Sequence, residues 1–135
     1  MESILRIFPS LLMLLGALTV FTASGLAEAM AAFLAPAATR VGIPAEILTL
    51  ILVRPVSGSG ALAAYSSLLD QYGPDSFPGL CASVIVSSSD TLVYIAAVYF
   101  SAARVERTRY TLPVGFAVSA LTVLLSCALC RIFFA

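Results

Sequence analysis

Arg54 is the residue of this chain whose position most demands a chemical reason. It follows the apolar run Ile47–Val53 and opens the stretch Arg54-Pro55-Val56-Ser57-Gly58-Ser59-Gly60. A guanidinium inside an apolar segment costs at least about 2.5–3.5 kcal/mol on insertion scales, so it must face protein, water or a counter-charge. Its planar fork of donors suits a carboxylate or another anion. A buried ion pair with Asp90 or Glu46 is the structural alternative, and the two readings do not exclude each other. Ser57, Gly58, Ser59 and Gly60 add hydroxyls and a backbone that a ligand can approach. Free N–H groups at the start of the helical run that follows favour negative charge. The backbone at Ser59–Ala61 is therefore expected to support an anion held by Arg54.

A second polar interruption, Ser87-Ser88-Ser89-Asp90-Thr91, places five oxygen-bearing side chains in a row. Ser88, Ser89, Asp90 and Thr91 are read as contacts for a cation or polar solute, with Asp90 as the charge; a polar hinge capping the next helix is the simpler alternative. Other chemistries find no footing. Gly58, Gly60 and Ala63 match the loose pattern G-x-G-x-x-A, but no strand precedes them, and no G-K-[ST] is present. The chain has no His, which removes the commonest general base and metal ligand, and neither serine cluster has a base beside it. No catalytic residue, metal or cofactor is expected. Cys127 and Cys130 form a C-x-x-C without a second ligand pair and, like Cys81, are read as small packing residues.

The elements that must position these residues belong to a membrane protein. Of 135 residues, 61% are hydrophobic and 10% charged, against about 25% charged in soluble domains; the mean hydropathy is +1.06. Seven Arg balance seven acids, leaving no basic footprint for nucleic acid. Two uncharged runs are long enough to span, Ile7–Ala27 and Tyr110–Cys130, each 21 residues or about 30 Å of helix. The first exceeds the roughly 7–15 residues of a signal core, so despite Arg6 and Ala27-Glu28-Ala29 it is read as a retained helix.

Between them the apolar runs are short and broken. Residues 41–69 and 76–103 each read as a pair of short helices around a Ser- or Gly-rich break with one charge; the alternative is that both are ordinary spans carrying stray charges. Such breaks survive at membrane depth only where protein or a wet cavity satisfies the backbone. Ala23, Ala27, Ala31 and Ala35 are either a small-residue stripe for close helix approach or a mere consequence of alanine abundance, and Pro36 is expected to end or kink that helix. Gly42-Ile43-Pro44 is a further break, with Glu46 in the next first turn. Gln71-Tyr72-Gly73-Pro74-Asp75 is a turn, after which Asp75 or Ser76 can cap a helix. Arg104–Arg109 is the most basic stretch, cytoplasmic by the positive-inside rule, and Arg131 is expected to snorkel to the headgroups.

The motifs together resemble the spore maturation protein B family and the wider membrane family with a nucleoside-recognition, or gate, domain. The likeness covers residues 10–133. It rests on Gly42-Ile43-Pro44-Ala45-Glu46, Arg54-Pro55-Val56-Ser57-Gly58-Ser59-Gly60-Ala61-Leu62, Tyr72-Gly73-Pro74-Asp75-Ser76-Phe77, and Thr108-Arg109-Tyr110 followed by Leu112-Pro113-Val114-Gly115. The resemblance implies a small polytopic protein acting beside a homologous subunit of the spore maturation A type, or as a homo-oligomer. It also implies a distant likeness to nucleoside transporters. Members of that family are longer at the N-terminus, so a first helix is expected to be lacking here. Ser88-Ser89-Asp90-Thr91 stands where the family pattern is Ser-Thr-Glu-Thr, which shortens the reach of the acid.

The expected fold is all-α: one membrane-embedded, gate-like domain over residues 1–135, with two spanning helices flanking two broken or re-entrant helical hairpins, multi-pass in the inner membrane. The expected function is a subunit of a small transporter or channel-like complex that binds a small polar or anionic solute where the breaks meet. The alternative is a non-transporting assembly factor whose buried charges fix helix register and partner choice.

Overall fold

The computed structural model describes residues 2–105 and 107–134, and the side chains of these except at residues 2–7, 10, 11, 14, 18 and 22. Glu106 of the basic stretch, and the side chains of Arg6 and Ile7, lie outside what is described. The described residues form seven α-helices: α1 (Glu2–Ala23), α2 (Leu26–Arg40), α3 (Leu48–Val53), α4 (Gly58–Tyr72), α5 (Phe77–Ser88), α6 (Leu92–Ala103) and α7 (Thr111–Phe134). A 3₁₀ turn, Ala45–Ile47, precedes α3. The all-helical expectation holds.

Among the described residues, two stretches are long and apolar enough to cross a bilayer, Phe77–Ala103 with 27 residues and Thr111–Phe134 with 24, and the bent pair Leu15–Phe21 and Leu26–Arg40 makes a third if it is one broken span. At about 1.5 Å per residue the first two exceed a hydrocarbon core of about 30 Å. Only 22% and 17% of their most apolar windows are buried, so most of this surface faces outward, as lipid-facing helices do. Thr111–Phe134 matches the expected final span. Residues 76–103 differ from a pair folded back on itself: α5 and α6 together make one apolar stretch, with the serine break inside it.

The N-terminal run departs from expectation. α1 ends at Ala23, and Gly25 takes a left-handed backbone (φ 69°), a conformation with little penalty only for glycine. The segments Leu15–Phe21 and Leu26–Arg40 consequently diverge by 57°, and the uncharged run is divided between two helices. Pro36 does not end α2, which continues to Arg40. Pro36 lies on the exposed face, so its ring removes one backbone donor without displacing a packed neighbour.

The core forms around α5. Cys81, Ala82 and Ile85 pack with Ile47, Leu50 and Val53 from the α3 region, Ala61 and Leu68 from α4, and Val123, Cys127 and Cys130 from α7. The three cysteines are free and buried. Of the alanine stripe, Ala27 and Ala31 are buried and Ala35 half-buried, against the 3₁₀ turn and α3, while Ala23 stays exposed. Ser76 caps α5, accepting from the Gly79 N–H at 3.1 Å, and Tyr65 on α4 hydrogen bonds Ser83 on α5 at 2.9 Å. Arg131 lies over the Phe77 ring, 5.9 Å from its centroid, so its guanidinium is engaged with α5 as well as sitting near the end of α7.

Gly79 has no room for a side chain, because a Cβ there would collide with the Gly73 and Pro74 carbonyls of the turn. Gly16 meets nothing within 4 Å. Gly79→Ala is therefore expected to lower stability by about 1–3 kcal/mol, the range of overpacking strain, whereas Gly16→Ala is expected to be neutral or slightly stabilising. Thermal unfolding of the two variants in detergent checks the contrast.

Candidate functional site

The two polar breaks meet, and adjacent residues of the first complete the backbone of the second. The last turn of α5 and the first turn of α6 leave backbone groups without intrahelical partners. Arg54, at the C-terminus of α3, donates from Nη2 to the Val86 carbonyl at 2.8 Å and to the Ser89 carbonyl, and from Nε to Ser89 Oγ at 3.2 Å. A cation at a helix C-terminus also opposes the partial negative charge of the helix dipole. Pro55 supplies the converse: its carbonyl accepts from the Val93 N–H of α6 at 2.9 Å. One residue thus gives donors to the end of α5, and the next gives an acceptor to the start of α6.

The magnitudes favour this arrangement. Hydrogen bonds to a charged group contribute about 1.5–3 kcal/mol each, so three together offset an insertion cost of about 2.5–3.5 kcal/mol. Arg54 is held by carbonyls and a hydroxyl and by no carboxylate among the described residues. The ion pair with Asp90 or Glu46, open from the sequence, is not formed.

Arg54, Ser89 and Asp90 line one cleft of about 190 Å³, whose walls include Ile51, Leu52, Pro55 and Ile85 and, from α7, Phe116, Ser119, Ala120 and Val123. Arg54 Nη1 has no hydrogen-bond partner among the described residues, and no buried side-chain N or O atom there lacks one, so Nη1 is accessible. Asp90 uses only Oδ1, which accepts from the Thr91 N–H at 2.8 Å and from Thr91 Oγ1 at 3.4 Å. Its Oδ2 has no partner among the described residues.

The other expected contacts are placed differently. Gly58 packs against Thr91, 3.3 Å from where its Cβ would stand to Thr91 Cγ2, so these two form the seam between the breaks and not the cleft wall. Ser57 is the N-cap of α4, accepting from the Gly60 N–H at 3.1 Å, and its carbonyl accepts from Ala61. Of the N–H groups at Ser59–Ala61, the last two are therefore already used. Ser59 lies within hydrogen-bonding distance of Ser57, 3.5 Å apart. Ser87 and Ser88 turn their hydroxyls back onto the Ser83 and Val84 carbonyls of their own helix, both at 2.6 Å, the local bond that serine offers in helices. Ser57, Gly58, Ser59, Gly60, Ser88 and Thr91 do not line the cleft.

The contribution of α7 is not visible in the sequence, because Phe116, Ser119 and Ala120 sit in an unremarkable apolar run. A second, more polar cleft of about 350 Å³ is lined by Glu28, Glu46, Thr49, Ser67, Gln71 and Tyr72, with Leu50, Ala64 and Leu68. It too leaves no mark in the sequence, since its two acids come from elements that only the fold brings together. Among the described residues, no group of three or more His, Cys, Asp or Glu is arranged to hold a metal.

An all-helical membrane protein with a broken span closed by an arginine is thereby defined. Over 133 residues the chain is 39% identical to spore maturation protein B of Bacillus subtilis (strain 168), covering 98% of this chain and 75% of that protein. The chain belongs to the spore maturation protein B family. No protein-family model matches it, and no solved structure matches it.

The geometry separates the roles of the two charges. Arg54→Lys is expected to destabilise the protein by about 2–4 kcal/mol, because an ammonium cannot serve the three acceptors of the fork and hydrogen bonds to charge are lost. Asp90→Asn keeps an oxygen for Thr91 and is expected to change stability by less than about 0.5 kcal/mol, as at exposed sites. Unfolding midpoints of both variants in detergent give the comparison.

Proposed function

We propose that this chain is a subunit of a small transporter or channel-like complex in the cell membrane, with a solute site in the Arg54–Asp90 cleft. The observation that carries the reading is Arg54 Nη1, a donor on a fixed cation left without a partner among the described residues, at a break in an apolar fold. Arg54 offers this donor to a small polar or anionic solute, with Ser89 and Asp90 beside it. The neighbouring break, between α3 and α4, serves as the re-entrant part of the gate, in keeping with the gate-domain likeness of its motifs. A spore maturation A-type subunit, or a second copy of this chain, completes the enclosure. With Arg104, Arg107 and Arg109 cytoplasmic, α7 runs outward.

The second reading, a non-transporting assembly factor, draws on the bonds by which Arg54 pins the breaks together. A charge swap of Arg54 and Asp90 does not separate the two readings. Arg54→Asp would set a carboxylate against the Val86 and Ser89 carbonyls, and the fold would suffer under either.

Ala120 does separate them. It is exposed on α7 and lines the cleft, so Ala120→Phe should fill the space while leaving the core alone. The purified protein in detergent, alone and with an A-type subunit, is heated with small organic anions, polar solutes, cations and nucleosides. The expected result is a ligand-dependent stabilisation, about 2.7 kcal/mol at a hundred times Kd, that Ala120→Phe abolishes. Stabilisation by the partner subunit alone, with no response to any solute, would favour the assembly reading.

A further inference from the structure

The cleft holds two opposite charges that do not pair with each other. Arg54 directs its bonded nitrogens at backbone and hydroxyl, and Asp90 directs its bonded oxygen at Thr91. Each keeps one polar atom free among the described residues, Nη1 and Oδ2, and both residues border the same space. Most of the remaining wall is apolar, with Ile51, Leu52, Ile85, Phe116 and Val123 as its larger side chains.

A lone anion would meet Asp90 as well as Arg54, and a like charge beside it is repelled. A lone cation would meet Arg54 for the same reason. A solute carrying both charges close together satisfies both residues at once. The apolar walls ask for a hydrocarbon body on the same molecule, since polar groups buried there would lose their hydrogen bonds to water. Size sets a limit: a cavity of roughly 150 Å³ admits benzene, and drug-sized ligands occupy roughly 300–1,000 Å³. At about 190 Å³ the cleft suits a compact hydrocarbon group with a small charged head.

We infer that the solute is a small zwitterion with an apolar side chain, of the α-amino acid class. Its carboxylate is taken by Arg54 Nη1, its ammonium by Asp90 Oδ2, and its side chain by Ile51, Leu52, Phe116 and Val123. The inference rests on the cleft being a solute site and adds the chemistry of the solute.

The test measures thermal stabilisation of the full chain in detergent by L-leucine, 4-methylpentanoate (no ammonium), leucinamide (no carboxylate), glycine (no side chain) and adenosine. L-leucine is expected to stabilise, with each of the other four at least tenfold weaker, a difference of about 1.4 kcal/mol or more. In Asp90→Asn the ratio between leucine and 4-methylpentanoate is expected to fall towards one. If 4-methylpentanoate matches leucine in the unaltered protein, or adenosine alone binds, the zwitterion is wrong while the solute site stands. If none of the five stabilises but another small polar solute does, the zwitterion is again wrong. If nothing binds, both fail.

Discussion

Everything in this fold turns on how a backbone interrupted inside an apolar stretch is satisfied. The stretch Phe77–Ala103 is long enough to cross a membrane only because α5 and α6 are held nearly end to end across Ser89–Thr91. In hydrocarbon the freed carbonyls and N–H groups would have no water to turn to. Arg54 and Pro55 provide both kinds of partner from one point of the chain. Proline suits this position for a second reason: it has no N–H of its own to satisfy.

The rest of the packing follows from bringing those breaks together. α4 and the 3₁₀ turn before α3 lie closely against α5, and the residues buried there are small or compact: Ala61, Cys81 and Ala82 are fully buried. Without a hydrophobic force between helices in lipid, close backbone approach and dispersion carry the association. Gly115 does the same between α6 and α7, where a Cβ would run into Leu92. The cleft is what this packing leaves beside the joint, and its single cation is there first to close the backbone. The proposed solute role uses the one nitrogen that closure leaves over.

Much of this is legible in the residues. The breaks at Gly42–Pro44, Arg54–Gly60, Gly73–Asp75 and Ser87–Thr91 are readable because proline, glycine and serine interrupt helices by known mechanisms. Arg54 draws attention because charge in an apolar run is expensive. What the residues do not disclose is pairing across the fold. Asp90 looks like the natural partner of Arg54, yet carbonyls 32 and 35 positions away take the guanidinium. The serines offer five oxygen-bearing positions together with Asp90 and Thr91, and the helix consumes the hydroxyl protons of Ser87, Ser88 and Ser89 locally. Ser24-Gly25 reads as part of a span because hydropathy is blind to a left-handed φ. The wall supplied by α7 has no signature at all, since Phe116 and Ser119 acquire meaning only from what they face.

The role of Arg54 in joining the two breaks can be tested at the seam between Gly58 and Thr91. With Cys81, Cys127 and Cys130 replaced by Ala, the pair Gly58→Cys and Thr91→Cys is oxidised in membranes, with Arg54 present and with Arg54→Gln. Rapid disulfide formation is expected when Arg54 is present, and a marked loss of it in Arg54→Gln. Equal cross-linking without the guanidinium, or none with it, would contradict that role.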